Sequence, residues 1–206
     1  MSTALLSAGM TPALILASAS PRRHQLLVQI GVPHRIVPAH IAEEQQPGEQ
    51  GEACVARLAV QKARWVWEQS DKTLPVLGAD TAVLIDERML GKPRHRDEAL
   101  AMLAQLSGRT HQVLSGIALI AAAGVVQTRL SVSEVRFREV AEAEAAAYWD
   151  SGEMQDKAGG YAIQGRGAIF VAELRGSYSG VMGLPLLETA ELLRDAGVGG
   201  WWGGGV

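Results

Sequence analysis

An ionisable acid stands in the middle of an apolar, β-branched run, and this combination restricts what the chain can build. Residues 74–86 read as a strand around a central Gly78-Ala79-Asp80-Thr81. A carboxylate inside an apolar strand is costly unless a cation, a metal or a set of hydrogen-bond donors accompanies it. At a strand end it would instead stand on the rim of a cleft, where open α/β sheets bind ligands. An acid at a bulge, bonded to nearby backbone, is the plain structural alternative.

The rest of the chain supplies the partners such a strand needs. Residues 13–17 form a short apolar run that reads as a core strand, followed by Ser20 as an N-cap and Pro21 at the first helical position. A helix carrying Leu26, Leu27 and Ile30 ends at Gly31, residues 34–39 suggest a second strand, and residues 43–52 form a polar loop. Val55, Leu58, Ala59 and Val66 place an amphipathic helix over 52–69. Asp97 is a candidate cap for a helix whose stripe is Leu100, Leu103 and Leu106. Residues 111–121 and 126–137 read as a long hairpin, 141–149 as a helix, 168–174 as strand and 185–193 as a last helix. Strands interspersed with helices define an α/β class. No repeat or long linker divides the chain, so residues 11–196 form one domain. The Gly-rich residues 197–206, with Trp201 and Trp202, read as a mobile tail without an assigned role.

Charge and composition remove several function classes. Hydrophobic residues make up 48% and charged residues 20%, which is globular rather than disordered composition. A net charge of -3 argues against nucleic acid as a partner but leaves room for a small anion held by a local cluster of donors. The lone Cys54 cannot form an internal disulfide and fits a reducing, cytoplasmic setting as a buried thiol. Residues 1–20 lack the basic start of a signal peptide, and no uncharged run reaches membrane-spanning length. The five histidines, at 24, 34, 40, 95 and 111, show no metal-ligand spacing. Gly-x-Ser-x-Gly, dinucleotide-binding and P-loop patterns are absent.

Four segments carry polar groups suited to chemistry. Ser18-Ala19-Ser20-Pro21-Arg22-Arg23 joins a strand to a helix N-terminus, where backbone N–H groups and forked arginine donors match phosphate oxygens. A capped helix with surface arginines has the same sequence. Glu43 and Glu44 lie in the polar loop, and Lys92 follows Gly91; together with Asp80 these could hold Mg²⁺ and phosphate, although each alone reads as a solvated charge. Lys62, on a helix, reads by itself as a snorkelling lysine. Asp156-Lys157-Ala158-Gly159-Gly160-Tyr161-Ala162-Ile163-Gln164-Gly165 is either a Gly-rich turn or a backbone approach to a ligand, with the Gln164 amide offering a donor and an acceptor to a base edge.

Taken in order, Ser18 to Arg23, Gly78 to Thr81, Gly91-Lys92-Pro93, Leu106-Ser107-Gly108-Arg109-Thr110-His111, Asp156 to Gly159 and Gly183-Leu184-Pro185 resemble the Maf family. The resemblance covers about residues 13–193. It implies nucleotide pyrophosphatase activity and an elongated α/β fold with a mixed central sheet, flanking helices and a cleft between two lobes, like inosine triphosphate pyrophosphatases. It also implies a homodimer and a divalent cation (Mg²⁺, with Mn²⁺ or Co²⁺ as alternatives). The segment from Asp156 to Gly165 looks like the subgroup that acts on dTTP and UTP. By the same resemblance, Asp80, Glu43, Lys62 and Lys92 are catalytic positions, and Asp80 and Glu43 hold the metal. The resemblance puts the specificity positions on Arg22, Thr81 and Gln164, and Ser20, Arg23 and Lys157 are further expected contacts to substrate. Two other readings stand beside this one: a nucleotide-binding regulator of septum formation with little turnover, and a 7-methyl-GTP pyrophosphatase.

Overall fold

A computed structural model describes residues 11–121, 123–199 and 202. Its strands are β1 (Leu14–Leu16), β2 (His34–Ile36), β3 (Val76–Ile85), β4 (Arg88–Leu90), β5 (Thr110–Ile120), β6 (Val126–Phe137) and β7 (Val171–Arg175). Its helices are α1 (Pro21–Gln29), α2 (Gly51–Gln69), α3 (Arg96–Leu106), α4 (Glu142–Asp150), α5 (Tyr178–Met182) and α6 (Leu186–Asp195). The seven strands form one mixed sheet in the order β2-β1-β3-β5-β6-β7, with β4 paired to β3. Strand β1 runs parallel to β2 and β3, and the other pairings are antiparallel. This is the expected α/β class with helices flanking a mixed sheet.

Alternation along the two long central strands sends their residues to opposite faces. On one face, Leu77 and Ala79 join Ile117, Leu119 and the apolar residues of α1 and α6 in one core. Further along the same face, Val83, Ile85 and Val113 join α3, α4 and Phe170 in a second core. Thr81 and its register partner Ser115 lie between these two apolar blocks. The opposite face is covered by α2. There Gly78 and Gly116 remove the side chains that would hold the helix away: a Cβ on Gly78 would stand 2.3 Å from the Ala59 carbonyl oxygen, and one on Gly116 2.7 Å from that of Val55. The helix therefore lies unusually deep against β3 and β5.

Three local expectations need correction. The cap of α3 is His95, not Asp97: its side chain accepts from the Glu98 N–H, while Asp97 and Glu98 occupy the first turn, where acids complement the helix dipole. Residues 166–170 form a 3₁₀ turn, so the strand expected from 168 begins only at Val171. The tail does not leave the body at residue 197: Val198 is buried and Trp202 packs against the core of α1 and α6. The remainder of the expected mobile tail, residues 200, 201 and 203–206, lies outside the described residues, as do residues 1–10 of the leader question. Cys54 is buried in α2 as expected. Among the described residues, no helix is long and apolar enough to cross a membrane.

Candidate active site

Asp80 and Thr81, adjacent on β3, face opposite sides of the sheet, and the site is built around both. Asp80 points toward α2, where the depth permitted by Gly78 brings Lys62 Nζ to 2.6 Å from its Oδ1. Lys62 is no snorkelling surface lysine. Its side chain is 7% exposed, and its ammonium also lies 2.9 Å from Oε1 of Glu43, in the loop before α2. Lys92 Nζ stands 3.9 Å from the other Glu43 oxygen. Burial alone would raise the Glu43 pKa, but the Lys62 hydrogen bond and the charges of Lys62, Lys92 and Arg23 carry it below the ordinary carboxylate value. Of the two glutamates in this loop, Glu43 lines the cavity, whereas Glu44 contributes a backbone carbonyl to Arg57 outside it.

Thr81 anchors the other side. Arg23 donates from Nη2 to Thr81 Oγ1 at 3.3 Å, from Nη1 to Ser18 Oγ at 3.1 Å and from Nε to the Gly183 carbonyl at 2.8 Å. Ser115 Oγ donates to the Gly180 carbonyl at 2.6 Å, so its contact with Thr81 Oγ1 at 3.0 Å uses the threonine hydroxyl as donor. A directed chain thus runs from Arg23 through Thr81 and Ser115 to α5. Among the described residues, no carboxylate lies within ion-pair distance of Arg23. Burial lowers its pKa, and the charges of Asp80 and Glu43 oppose that shift. Arg22 is lowered by burial too, against the nearby Asp156. Lys157 is lowered first by burial and then by Arg22. Positive groups crowded into a partly dry space, with their charge incompletely matched, form a receptor for an anion.

A cavity of about 220 Å³ brings these groups together, and of the candidate site residues only Glu44 does not line it: Ser20, Arg22, Arg23, Glu43, Lys62, Asp80, Thr81, Lys92, Lys157 and Gln164 all do. Ser20 sits at the N-cap of α1, although its side chain makes no capping bond. Gly159 joins two of the contributing segments: its N–H donates to the Gly91 carbonyl at 3.0 Å, tying the segment that carries Lys157 and Gln164 to the one that carries Lys92. Its φ of +68° and the Val83 side chain 2.9 Å from a hypothetical Cβ leave room for glycine alone.

Sequence reasoning missed Ser115, and it named Asp156 only as part of its motif. The register that pairs Ser115 with Thr81 is a property of the folded sheet. The proximity of Asp156 to Arg22 depends on how the 156–165 segment folds back.

The donor chemistry suits a hard divalent cation. Asp80 and Glu43 already share one positive centre, the Lys62 ammonium, so both carboxylates accommodate positive charge at a common place. Among the described residues no group of three or more His, Cys, Asp or Glu side chains that could hold a metal ion is present, so any cation here would have to draw the rest of its shell from substrate oxygens and water.

The Maf family model, described as Maf-like protein, matches residues 13–196. A dTTP/UTP pyrophosphatase from Alkalilimnicola ehrlichii is 53% identical over 189 residues, covering 89% of this chain and 93% of the relative. Another from Methylococcus capsulatus is 51% identical over 186 residues, covering 90% and 92%. The crystal structure of a nucleoside-triphosphatase, dITP/XTP pyrophosphatase, from Mycobacterium abscessus aligns with 60% of this chain and 73% of its own at 18% identity and a TM-score of 0.43.

Proposed function

The chain belongs to the Maf family, and from that premise we propose that it hydrolyses dTTP and UTP to the nucleoside monophosphate and pyrophosphate. The observation that carries the catalytic part is the convergence of Asp80 and Glu43 on the Lys62 ammonium inside a cavity that Arg22, Arg23, Lys92 and Lys157 also line. Phosphoryl transfer depends mainly on positioning and charge neutralisation, and this cavity supplies both. Arg22, Arg23, Lys92 and Lys157 offset the charge of the triphosphate. Lys62 keeps the two carboxylates side by side. Asp80 orients the attacking water and accepts its proton, a contribution typically worth about 10²–10⁴-fold. Asp80 and Glu43 are the residues that would hold a divalent cation, which when bound withdraws electron density from phosphate oxygens. Gln164 presents an amide to the base, and the 53% and 51% identity to enzymes named for dTTP and UTP supports a pyrimidine there.

The test is pyrophosphate release from a panel of pyrimidine and purine triphosphates, with and without Mg²⁺. Preferential release from dTTP and UTP is expected, and Asp80→Asn should lower turnover by at least about 10²-fold with the fold intact. Equal turnover of all bases would remove the pyrimidine assignment. A wild-type level in Asp80→Asn would remove the role of the acid.

A further inference from the structure

Gln164 itself makes no hydrogen bond among the described residues and is exposed on the cavity wall. Its amide is therefore placed by its backbone alone, and that backbone is gripped on both sides by two residues with no part in the chemistry above. Tyr148, near the end of α4, is buried in the core against Phe170, with ring centroids 5.2 Å apart. Its hydroxyl accepts from the Ala162 N–H at 3.0 Å and donates to Glu153 Oε1 at 2.7 Å. The same carboxylate accepts from the Arg166 N–H at 3.0 Å and the Gly167 N–H at 3.1 Å. Two residues before Gln164 and two or three after it are thus fixed to one hydroxyl–carboxylate pair.

The glycines in this stretch are shaped by that pair. A Cβ on Gly165 would fall 2.4 Å from Glu153 Oε2, and one on Gly167 would fall 2.7 Å from the Tyr148 hydroxyl. Those are separations real side chains do not reach, so the loop closes onto the pair only with glycine at both places. Burial pushes against ionisation of Glu153, but the N–H of Arg166, the Tyr148 hydroxyl and the N–H of Gly167 together lower its pKa, so it remains an acceptor for all three donors.

We propose that Tyr148 and Glu153 are positioning residues that set base preference by holding Gln164 at the base end of the cavity. This rests on the reading of Gln164 as the base-reading amide. A hydrogen-bonded recognition group discriminates only if it cannot swing away to accommodate the wrong partner. An exposed glutamine on a free loop would adapt to either base, whereas one on a clasped loop would not.

The experiment combines Tyr148→Phe, Glu153→Gln and Gln164→Ala with the double variant Tyr148→Phe/Gln164→Ala. Affinities for UTP and GTP are measured by calorimetry, and pyrophosphate release is measured separately. Tyr148→Phe and Glu153→Gln should each lower the UTP-over-GTP affinity ratio by about tenfold or more, to the level expected of Gln164→Ala, with turnover of the Tyr148 and Glu153 variants at saturating UTP held within a few-fold. Adding Tyr148→Phe to Gln164→Ala should change the ratio no further, because the tyrosine acts through the glutamine. Hydrogen exchange of the Ala162, Arg166 and Gly167 amides should accelerate in Tyr148→Phe while β5 amides stay protected. An unchanged ratio in the single variants, an equal further loss in the double variant, or a wild-type protein that does not distinguish UTP from GTP overturns the proposal. A wild-type protein that prefers UTP yet releases no pyrophosphate overturns the hydrolytic reading and leaves the clasp standing.

Discussion

Replacing Gly78 with alanine would put a methyl carbon 2.3 Å from the Ala59 carbonyl oxygen, 2.7 Å from the Ala63 nitrogen and 3.0 Å from the Ala63 Cβ. Two of these are backbone atoms of α2, so no rotamer change relieves the overlap, and the helix must lift or tilt by about an ångström. Overpacking of this kind costs about 1–3 kcal/mol. Removing a glycine from a strand interior would by itself recover about 0.5–1 kcal/mol. The steric contribution wins, leaving a net loss of about 1 kcal/mol, which for a domain of this size is a fall in Tm of about 2–4 °C. Lys62 lies between the displaced helix and Asp80, so lifting α2 also stretches the 2.6 Å contact that joins them. Turnover measured well below the lowered Tm should therefore drop at least tenfold, more than the unfolded fraction explains. Gly91→Ala is the control: nothing lies within 4 Å of its Cβ, and its stability should stay within about 0.5 kcal/mol of wild type. Thermal melts and urea midpoints of both variants, read beside UTP turnover, decide the matter. A Gly78→Ala protein as stable and as active as the control would show that helix depth does not set the Lys62–Asp80 pair.

Other consequences of the geometry can be measured directly. Lys62→Met leaves Asp80 buried without its cation and should cost about 3–5 kcal/mol; adding Asp80→Asn should restore much of that stability in urea melts, but none of the activity. His111 is buried with its Nε2 2.8 Å from the Tyr161 hydroxyl, and burial lowers its pKa from 6.5 to about 4. Above pH 6.5 it is neutral in both states and contributes no pH dependence; between 6.5 and 4 the unfolded chain binds the extra proton, so stability should fall on acidification by up to about 3 kcal/mol in total. His111→Phe should flatten that window in urea midpoints compared at pH 7 and 5, and an unchanged slope would refute the assignment. Chelation should abolish pyrophosphate release and added Mg²⁺ restore it, with Glu43→Gln needing at least roughly tenfold more Mg²⁺ for half-maximal rate, about 1.4 kcal/mol of lost affinity.

What could be read in the chain beforehand follows from which interactions are local. Asp80 stood out because an acid among Val, Leu and Ala is expensive wherever the strand goes, and that cost holds without knowing the neighbours. Most helices and strands were recoverable to within a few residues because their apolar periods are local properties, whereas the short β4 and α5 carry too few residues to show a period and were not expected. The cap of α3 was misplaced by two positions, since histidine and aspartate can each accept a first-turn N–H and only the chain's approach chooses between them. The strand expected from residue 168 started late for a related reason: Arg166 and Gly167 are drawn into the Glu153 carboxylate, a partner thirteen or fourteen residues away.

Lys62 shows why the remainder was hidden. On the helix alone it is indistinguishable from a lysine whose stem lies along an apolar surface. Its role depends on two glycines, Gly78 and Gly116, located on strands that are distant in sequence from each other and paired in adjacent register through Ala118 and Asp80. Those glycines look like weak points in their strands when read singly, because glycine costs a strand order and side-chain packing. Only when both lie under one helix do they become the reason a charged group is buried against an acid. The strand register, the helix depth and the ion pair are therefore a single structural fact, and a sequence displays its components without displaying their coincidence.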